Sequence, residues 1–123
     1  MKYYICEHCG NIIEYVKDSG VPIMCCGQKM TEIVPGTSDG AVEKHVPVVT
    51  VSGNEILVQV GSVEHPMVEE HYIEWIVIQT EKGSQKVRLS AGDEPKAKFL
   101  LVDNDRLVSA YAYCNLHGLW KSE

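Results

Sequence analysis

Cysteine placement constrains the fold of this chain more than any other feature of its sequence. Four of the five cysteines fall within residues 1–36: Cys6, Cys9, Cys25 and Cys26. A unit that small rarely holds together by apolar burial alone and usually needs a disulfide or a metal ion. No apolar segment of a secretory signal precedes Cys6, and clustered cysteines in a reducing compartment favour a metal over a disulfide. The first part of the chain is therefore predicted to fold around a metal.

The spacing of these cysteines suits a single four-sulfur site. In Cys6-Glu7-His8-Cys9-Gly10, two intervening residues allow both sulfurs to face one point, and the glycine permits the tight turn that follows. Cys25 and Cys26 can scarcely bond each other, but both can reach one ion if the backbone twists. A tetrahedral sulfur site suits either zinc or iron, and the residues alone leave both open. His8 is predicted to be exposed and not a ligand.

The remainder of the chain follows a polar, turn-rich stretch at 35–40 and is predicted to be all-β. Short β-rich segments separated by turn signals are typical of an antiparallel, immunoglobulin-like β-sandwich, and no helix is predicted. The predicted strands are 46–51, 55–60, 73–80, 85–89, 98–102 and 107–113. The fold class is therefore mainly β, with a small metal-binding domain at 1–36 and a sandwich domain at 37–123.

A second group of metal-binding side chains lies in the sandwich domain. Its members all fall at predicted strand ends or in loops, where one edge of a sandwich can gather them: His45, His65, His71, Cys114 and His117. Five donors are too many for a structural zinc ion, which normally closes at four. Five donors leave one octahedral position open, which suits an iron ion that binds and reduces a small molecule. A blue-copper site is an alternative, but no methionine follows His117 to serve as its axial ligand.

Charge and hydropathy limit the classes of partner. The formal charge is −6 and the 11 basic residues are scattered, which argues against nucleic acid. No apolar run reaches the roughly 20 residues needed to cross a bilayer, and a cytoplasmic location is expected. An acidic protein repels small anions at long range, so an anionic substrate would need a local positive guide.

These motifs resemble those of the desulfoferrodoxins, the two-iron superoxide reductases, over essentially the whole chain. The cysteine set is similar to the desulforedoxin-type centre of that family. Four segments are similar to its catalytic half: Glu43-Lys44-His45-Val46-Pro47, His65-Pro66-Met67, His71-Tyr72-Ile73-Glu74-Trp75 and Cys114-Asn115-Leu116-His117. One-iron relatives lack the first cysteine set, so the resemblance implies the two-iron class. Gly40 is the one residue that looks unusual for the family, and it is expected to touch no ligand.

The resemblance implies two iron centres, Fe(Cys)4 and Fe(His)4(Cys), and an enzyme that reduces superoxide to hydrogen peroxide. The four histidines would lie in the equatorial plane of the second iron, and Cys114 would be axial, opposite the position that superoxide takes. The electrons would come from an external donor such as a rubredoxin-like protein, and the chain would be a homodimer.

Two further residues receive roles from this resemblance. Lys44 is predicted to supply the positive guide, which at about 6 Å would accelerate superoxide capture between a few-fold and about a hundredfold. Glu43 is implied to bind the sixth position of the oxidised iron and help expel peroxide. Two other functions stay open: an electron carrier, and a zinc ribbon joined to a sandwich that acts only as a binding module.

Overall fold

The computed structural model describes all 123 residues and divides the chain into two compact units, Met1–Val34 and Pro35–Glu123. The first unit contains five short strands: β1 (Tyr3–Ile5), β2 (Ile12–Glu14), β3 (Met24–Cys25), β4 (Gln28–Lys29) and β5 (Thr31–Ile33). They form an antiparallel sheet in the order β2-β1-β5 and a separate β3-β4 hairpin. Strands this short bury little apolar surface, and the buried apolar residues of this unit are Tyr3, Cys6 and Met30.

The second unit begins with a single helical turn and continues as seven strands. The helical turn is α1 (Val42–His45), and the strands are β6 (Pro47–Ser52), β7 (Glu55–Val60), β8 (Ile73–Thr80), β9 (Ser84–Arg88), β10 (Lys96–Leu100), β11 (Leu107–Cys114) and β12 (Gly118–Lys121). One sheet has the order β10-β7-β6 and the other the order β12-β11-β8-β9, and every neighbouring pair is antiparallel.

One apolar core lies between these two sheets. Its fully buried members alternate along the strands, because successive side chains of a strand point to opposite faces. They come from both sheets and include Ile56, Val58, Ile76 and Ile78, and the buried Phe99 packs with them. Burial of this alternating set holds the two sheets face to face. The two packed antiparallel sheets confirm the predicted mainly β architecture with an antiparallel sandwich.

The strand predictions for 55–60 and 73–80 match the structure, and three of the others are displaced by one or two residues. Two features were missed. The prediction of no helix was wrong, because residues 42–45 form one helical turn and His45 ends that turn instead of opening a strand. Strand β12 was also not predicted. The helical turn is too short to span a bilayer, and the chain has no other helix.

Candidate metal centres

The first unit brings its four cysteine sulfurs together. All four lie within 4.8 Å of one another, and none of them is in a disulfide. In the turn formed by residues 6–10, the Cys9 N–H donates to the Cys6 sulfur at 3.4 Å, and Gly10 has the positive φ (83°) that the turn requires. On the opposing hairpin, Cys26 has a φ of 52°, which turns its sulfur toward the same point as that of Cys25. His8 is exposed and lies outside this group.

Hydrogen bonds within the cluster shift the pKa values of three of its thiols. Hydrogen bonding from the Cys9 N–H lowers the pKa of Cys6 to about 6, against the opposing effect of burial. The neighbouring sulfurs of Cys9 and Cys6 raise the pKa of Cys26 to about 12, and that of Cys6 raises the pKa of Cys25. Four thiolates at this spacing repel one another unless a positive ion lies between them, so the donors fit a thiophilic metal.

The second unit gathers its metal-binding side chains from four separate segments. His45 ends α1, His65 lies in the loop after β7, and His71 forms an isolated β-bridge with Val68. Cys114 ends β11 and pairs with Gly118 at the start of β12, so that His117 lies in the tight turn between them. The ligand atoms of four of these residues lie within 4.8 Å of one another: His45, His65, His71 and Cys114.

His117 is not a member of this tight set, but its ring completes a square of imidazoles. Neighbouring ring centroids are separated by 4.6 Å (His45–His65), 4.7 Å (His65–His71), 5.0 Å (His71–His117) and 4.9 Å (His117–His45). The diagonal from His45 to His71 is 6.3 Å. Neighbours meet edge to face and these opposite rings are nearly parallel, with 28° between their planes. This arrangement turns ring edges toward a common centre.

Burial favours the neutral form of three imidazoles of this square, those of His45, His65 and His71. It lowers the pKa of His65 to about 4, and it also lowers the pKa of His45 and of His71. The Nε2 atoms of His45 and His65 are 3.1 Å apart, whereas the buried Nε2 of His71 has no hydrogen-bond partner. A buried nitrogen without a partner is costly in a folded protein. A metal ion bound by neutral imidazoles would satisfy it, so these donors fit a metal.

Cys114 supplies the sulfur of this site from the apolar core, where it is fully buried. Burial raises the pKa of its thiol, and the backbone N–H groups of Leu116 and His117 oppose that effect by hydrogen bonding. The same two N–H groups would stabilise the thiolate once a metal has displaced the proton.

Three of the imidazoles are oriented by backbone carbonyls. The Nδ1 atom of His45 lies 2.7 Å from the Ala41 carbonyl, that of His65 lies 2.6 Å from the Pro66 carbonyl, and that of His117 lies 2.7 Å from the Asp39 carbonyl. In each pair the ring nitrogen donates, since a carbonyl only accepts. Such partners fix the orientation of metal-binding histidines and raise their basicity. Every residue has a backbone carbonyl, so the sequence does not indicate which three carbonyls accept hydrogen bonds from these histidines.

The expectation that Gly40 touches no ligand was wrong. A Cβ placed on Gly40 would meet the His45 Cε1 at 3.2 Å, the His117 Cβ at 3.2 Å and the Trp120 Cζ2 at 3.1 Å. Trp120 itself packs on the His45 ring at 5.0 Å and donates its indole N–H to the His117 carbonyl at 2.9 Å. Gly40, in the polar, turn-rich stretch at 35–40, therefore forms part of the wall of this site.

Glu43 and Lys44 are exposed on the helical turn that ends in His45. The positive charge of Lys44 contributes to the lowered pKa of both His45 and His71, so Lys44 acts electrostatically on two residues of the site. The Glu43 carbonyl accepts hydrogen bonds from the Val63 N–H at 2.8 Å and the Ser62 hydroxyl at 3.2 Å. The turn that carries these two charges is thus fastened to the loop before His65.

Comparison with known proteins connects both centres to one family. A family model described as desulfoferrodoxin matches residues 37–123. A desulfoferrodoxin homolog of Archaeoglobus fulgidus is 50% identical over 122 residues, which cover 99% of this chain and 96% of that protein. The desulfoferrodoxin of Nitratidesulfovibrio vulgaris is 50% identical over 120 residues, covering 98% and 94%.

Solved structures agree with this assignment. The superoxide reductase from Treponema pallidum is 37% identical, with a TM-score of 0.82 and coverage of 98% of both chains. The one-iron superoxide reductase from Giardia intestinalis, also 37% identical with a TM-score of 0.57, covers 65% of this chain and 95% of its own. By sequence and structure, this chain belongs to the desulfoferrodoxin family.

Proposed function

We propose that this chain is a superoxide reductase whose reaction takes place at the His–Cys centre of the second unit. The observation that supports it best is the square of four imidazoles around a point that a buried cysteine sulfur approaches from the core. A ferrous ion in this site supplies the single electron with which superoxide, taking up two protons, becomes hydrogen peroxide.

The residues proposed to hold that iron are the tight set of His45, His65, His71 and Cys114, with His117 as the fifth ligand. Neutral, buried imidazoles are suitable donors because they bind without first losing a proton. The thiolate of Cys114 would increase electron density at a bound iron, as a cysteine ligand does in other iron enzymes. The first unit is proposed to hold a second iron through Cys6, Cys9, Cys25 and Cys26.

Lys44 is proposed to attract the substrate. The protein is acidic overall, with a formal charge of −6, and therefore repels superoxide at long range. The Lys44 ammonium acts electrostatically on His45 and His71 and is exposed, so it offers a local positive field near these imidazoles. Glu43, on the same helical turn, is proposed as a carboxylate that would bind iron once it is oxidised and so would favour release of peroxide.

Three further assignments belong to this proposal. The electron that restores the ferrous state comes from a rubredoxin-like donor, the chain works as a homodimer, and its location is the cytoplasm. The first two are carried over from the family resemblance alone. The absence of disulfides among five cysteines agrees with a reducing compartment.

A single-turnover experiment tests the function. The full iron-loaded chain is reduced under anaerobic conditions, mixed with a limiting amount of superoxide, and followed by the absorbance of the His–Cys centre and by peroxide assay. The proposal predicts that one centre is oxidised for each superoxide consumed. The matched control is the same chain loaded with zinc, which keeps the ligands but cannot supply an electron. If the iron and zinc forms consume superoxide equally, the chain is not a reductase.

The same experiment separates the enzyme from an electron carrier. A carrier would be oxidised by an artificial acceptor but would react with superoxide no faster than a protein whose iron is fully enclosed. A Cys114→Ser variant is expected to lose the sulfur-dependent absorbance of the second centre and most of its reaction with superoxide, while the four-cysteine centre keeps its spectrum.

A further inference from the structure

The side chain of Asn115 connects two loops that each carry a ligand of the His–Cys centre. Its Oδ1 accepts the Tyr72 N–H at 3.0 Å, and its Nδ2 donates to the Glu70 carbonyl at 3.1 Å. These partners lie on either side of His71, 43 and 45 residues away in the sequence. Asn115 itself follows Cys114 directly, so one amide joins the backbone around His71 to the backbone beside the sulfur.

His71 depends on its backbone more than the other three histidines do. The rings of His45, His65 and His117 each donate to a carbonyl, whereas the His71 ring makes no hydrogen bond and its Nε2 is buried without a partner. A metal-binding imidazole normally has a hydrogen-bond partner that sets its orientation. For His71, that orientation must come from where the backbone places the Cα–Cβ bond.

The backbone of His71 is held from two directions. On one side, the N–H groups of His71 and Val68 each donate to the other's carbonyl at 3.0 Å. On the other side are the two bonds of the Asn115 amide and a backbone bond from the Asn115 N–H to the Tyr72 carbonyl at 3.2 Å. Replacing the Asn115 side chain removes two of these three contacts and leaves the Val68 bridge in place.

We propose that Asn115 is a positioning residue of the His–Cys centre: its amide fixes the His71 imidazole relative to the Cys114 sulfur. The proposal rests on the assignment of both residues as ligands of one metal, but not on the reaction with superoxide. Its consequence is that Asn115 determines how tightly the centre holds its metal, although it does not itself bind the ion.

Release of iron to a chelator tests this role in the full chain. The two ligand sets differ, so absorbance is expected to follow iron loss from each centre separately, and loss from the four-cysteine centre serves as an internal control. For Asn115→Ala, we expect release from the His–Cys centre to be about 10- to 100-fold faster, the range typical for loss of an outer-shell partner. Asn54→Ala is the matched control, because the Asn54 amide bonds only the exposed Asp103, at 3.1 Å in another loop.

Asn115→Asp distinguishes positioning from a general effect of charge or folding. Aspartate has the same shape and still accepts the Tyr72 N–H, but its second oxygen faces the Glu70 carbonyl and repels it. If only charge mattered, the added negative charge would slow the release of a cation; if positioning matters, release becomes faster.

The proposal is overturned if Asn115→Ala releases iron within twofold of the parent, or if Asn115→Asp releases it more slowly. Both readouts measure metal release and neither measures the reaction with superoxide. The result for Asn115 is therefore independent of whether the chain is a superoxide reductase.

Discussion

Replacing Gly40 with alanine should loosen the His–Cys centre through a single added methyl group. Gly40 has no positive φ, so its backbone accepts alanine without strain and the effect is purely steric. The new Cβ would lie 3.1 to 3.2 Å from atoms of Trp120, His117 and His45, which is closer than carbon atoms normally pack. All three neighbours belong to the site or its wall, and none of them is the end of a flexible chain.

The cost of this contact follows from the stiffness of packed interiors. Adding a methyl group where there is no room typically destabilises a protein by about 1 to 3 kcal/mol. For a unit of this size, each 1 kcal/mol lowers the melting temperature by roughly 4 to 8 °C. The metal-free Gly40→Ala chain should therefore melt at least about 4 °C lower. In the iron-loaded variant, displacement of the His45 and His117 imidazoles should make release of iron faster.

Gly83→Ala is the matched control. Gly83 also lacks a positive φ, and a Cβ placed on it meets nothing within 4 Å. Loss of chain flexibility in the unfolded state should make this variant neutral or more stable by about 0.4 to 1 kcal/mol. Gly40→Ala is thus predicted to lower the melting temperature in calorimetry and to speed chelator-driven iron release, whereas Gly83→Ala should do neither. Equal melting temperatures and equal release rates for the two variants would refute the packing argument.

Three other perturbations test separate parts of the account. Lys44→Ala should slow superoxide capture between a few-fold and about a hundredfold and weaken its salt dependence. Lys82→Ala, which removes another exposed lysine, should leave both unchanged, and stopped-flow or pulsed generation of superoxide measures them. Burial lowers the pKa of His65 from 6.5 to about 4, so the unfolded chain binds more protons between these values. The stability of the metal-free chain should therefore be full above pH 6.5 and fall as the pH approaches 4. Denaturant titrations at several pH values would contradict this if stability were constant. Cys26→Ser should abolish the spectrum of the four-cysteine centre and leave that of the His–Cys centre, as metal analysis and absorbance would show.

The strands of the sandwich were predictable because apolar residues alternate along them. The segments 55–60 and 73–80 are bounded by clear turn signals and were predicted to the residue. By contrast, the four residues of the helical turn at 42–45 are too few to produce a helical period. Strand β12 opens on Gly118, a residue that usually ends strands, and it forms because β11 offers an edge for pairing.

The metal-binding side chains of the second site could be predicted from the sequence, because histidine and cysteine are recognisable ligands. The groups that orient these side chains could not be predicted. Histidine and cysteine at strand ends indicate a metal, whereas the carbonyls of Asp39, Ala41 and Pro66 have no sequence signature. Gly40 was misread for the same reason, since its role is the space it leaves for two imidazoles. Asn115 lies within the Cys114-Asn115-Leu116-His117 motif, but its partners are more than 40 residues away and only the fold reveals them.

The yield of hydrogen peroxide per superoxide tests the central claim most directly. The iron-loaded chain is supplied with excess electron donor and a measured amount of superoxide, and peroxide and oxygen are both quantified. A reductase forms one peroxide for each superoxide and evolves no oxygen, which is the predicted result. A yield of one half with matching oxygen would show dismutation and contradict the account, as would superoxide loss at the uncatalysed rate.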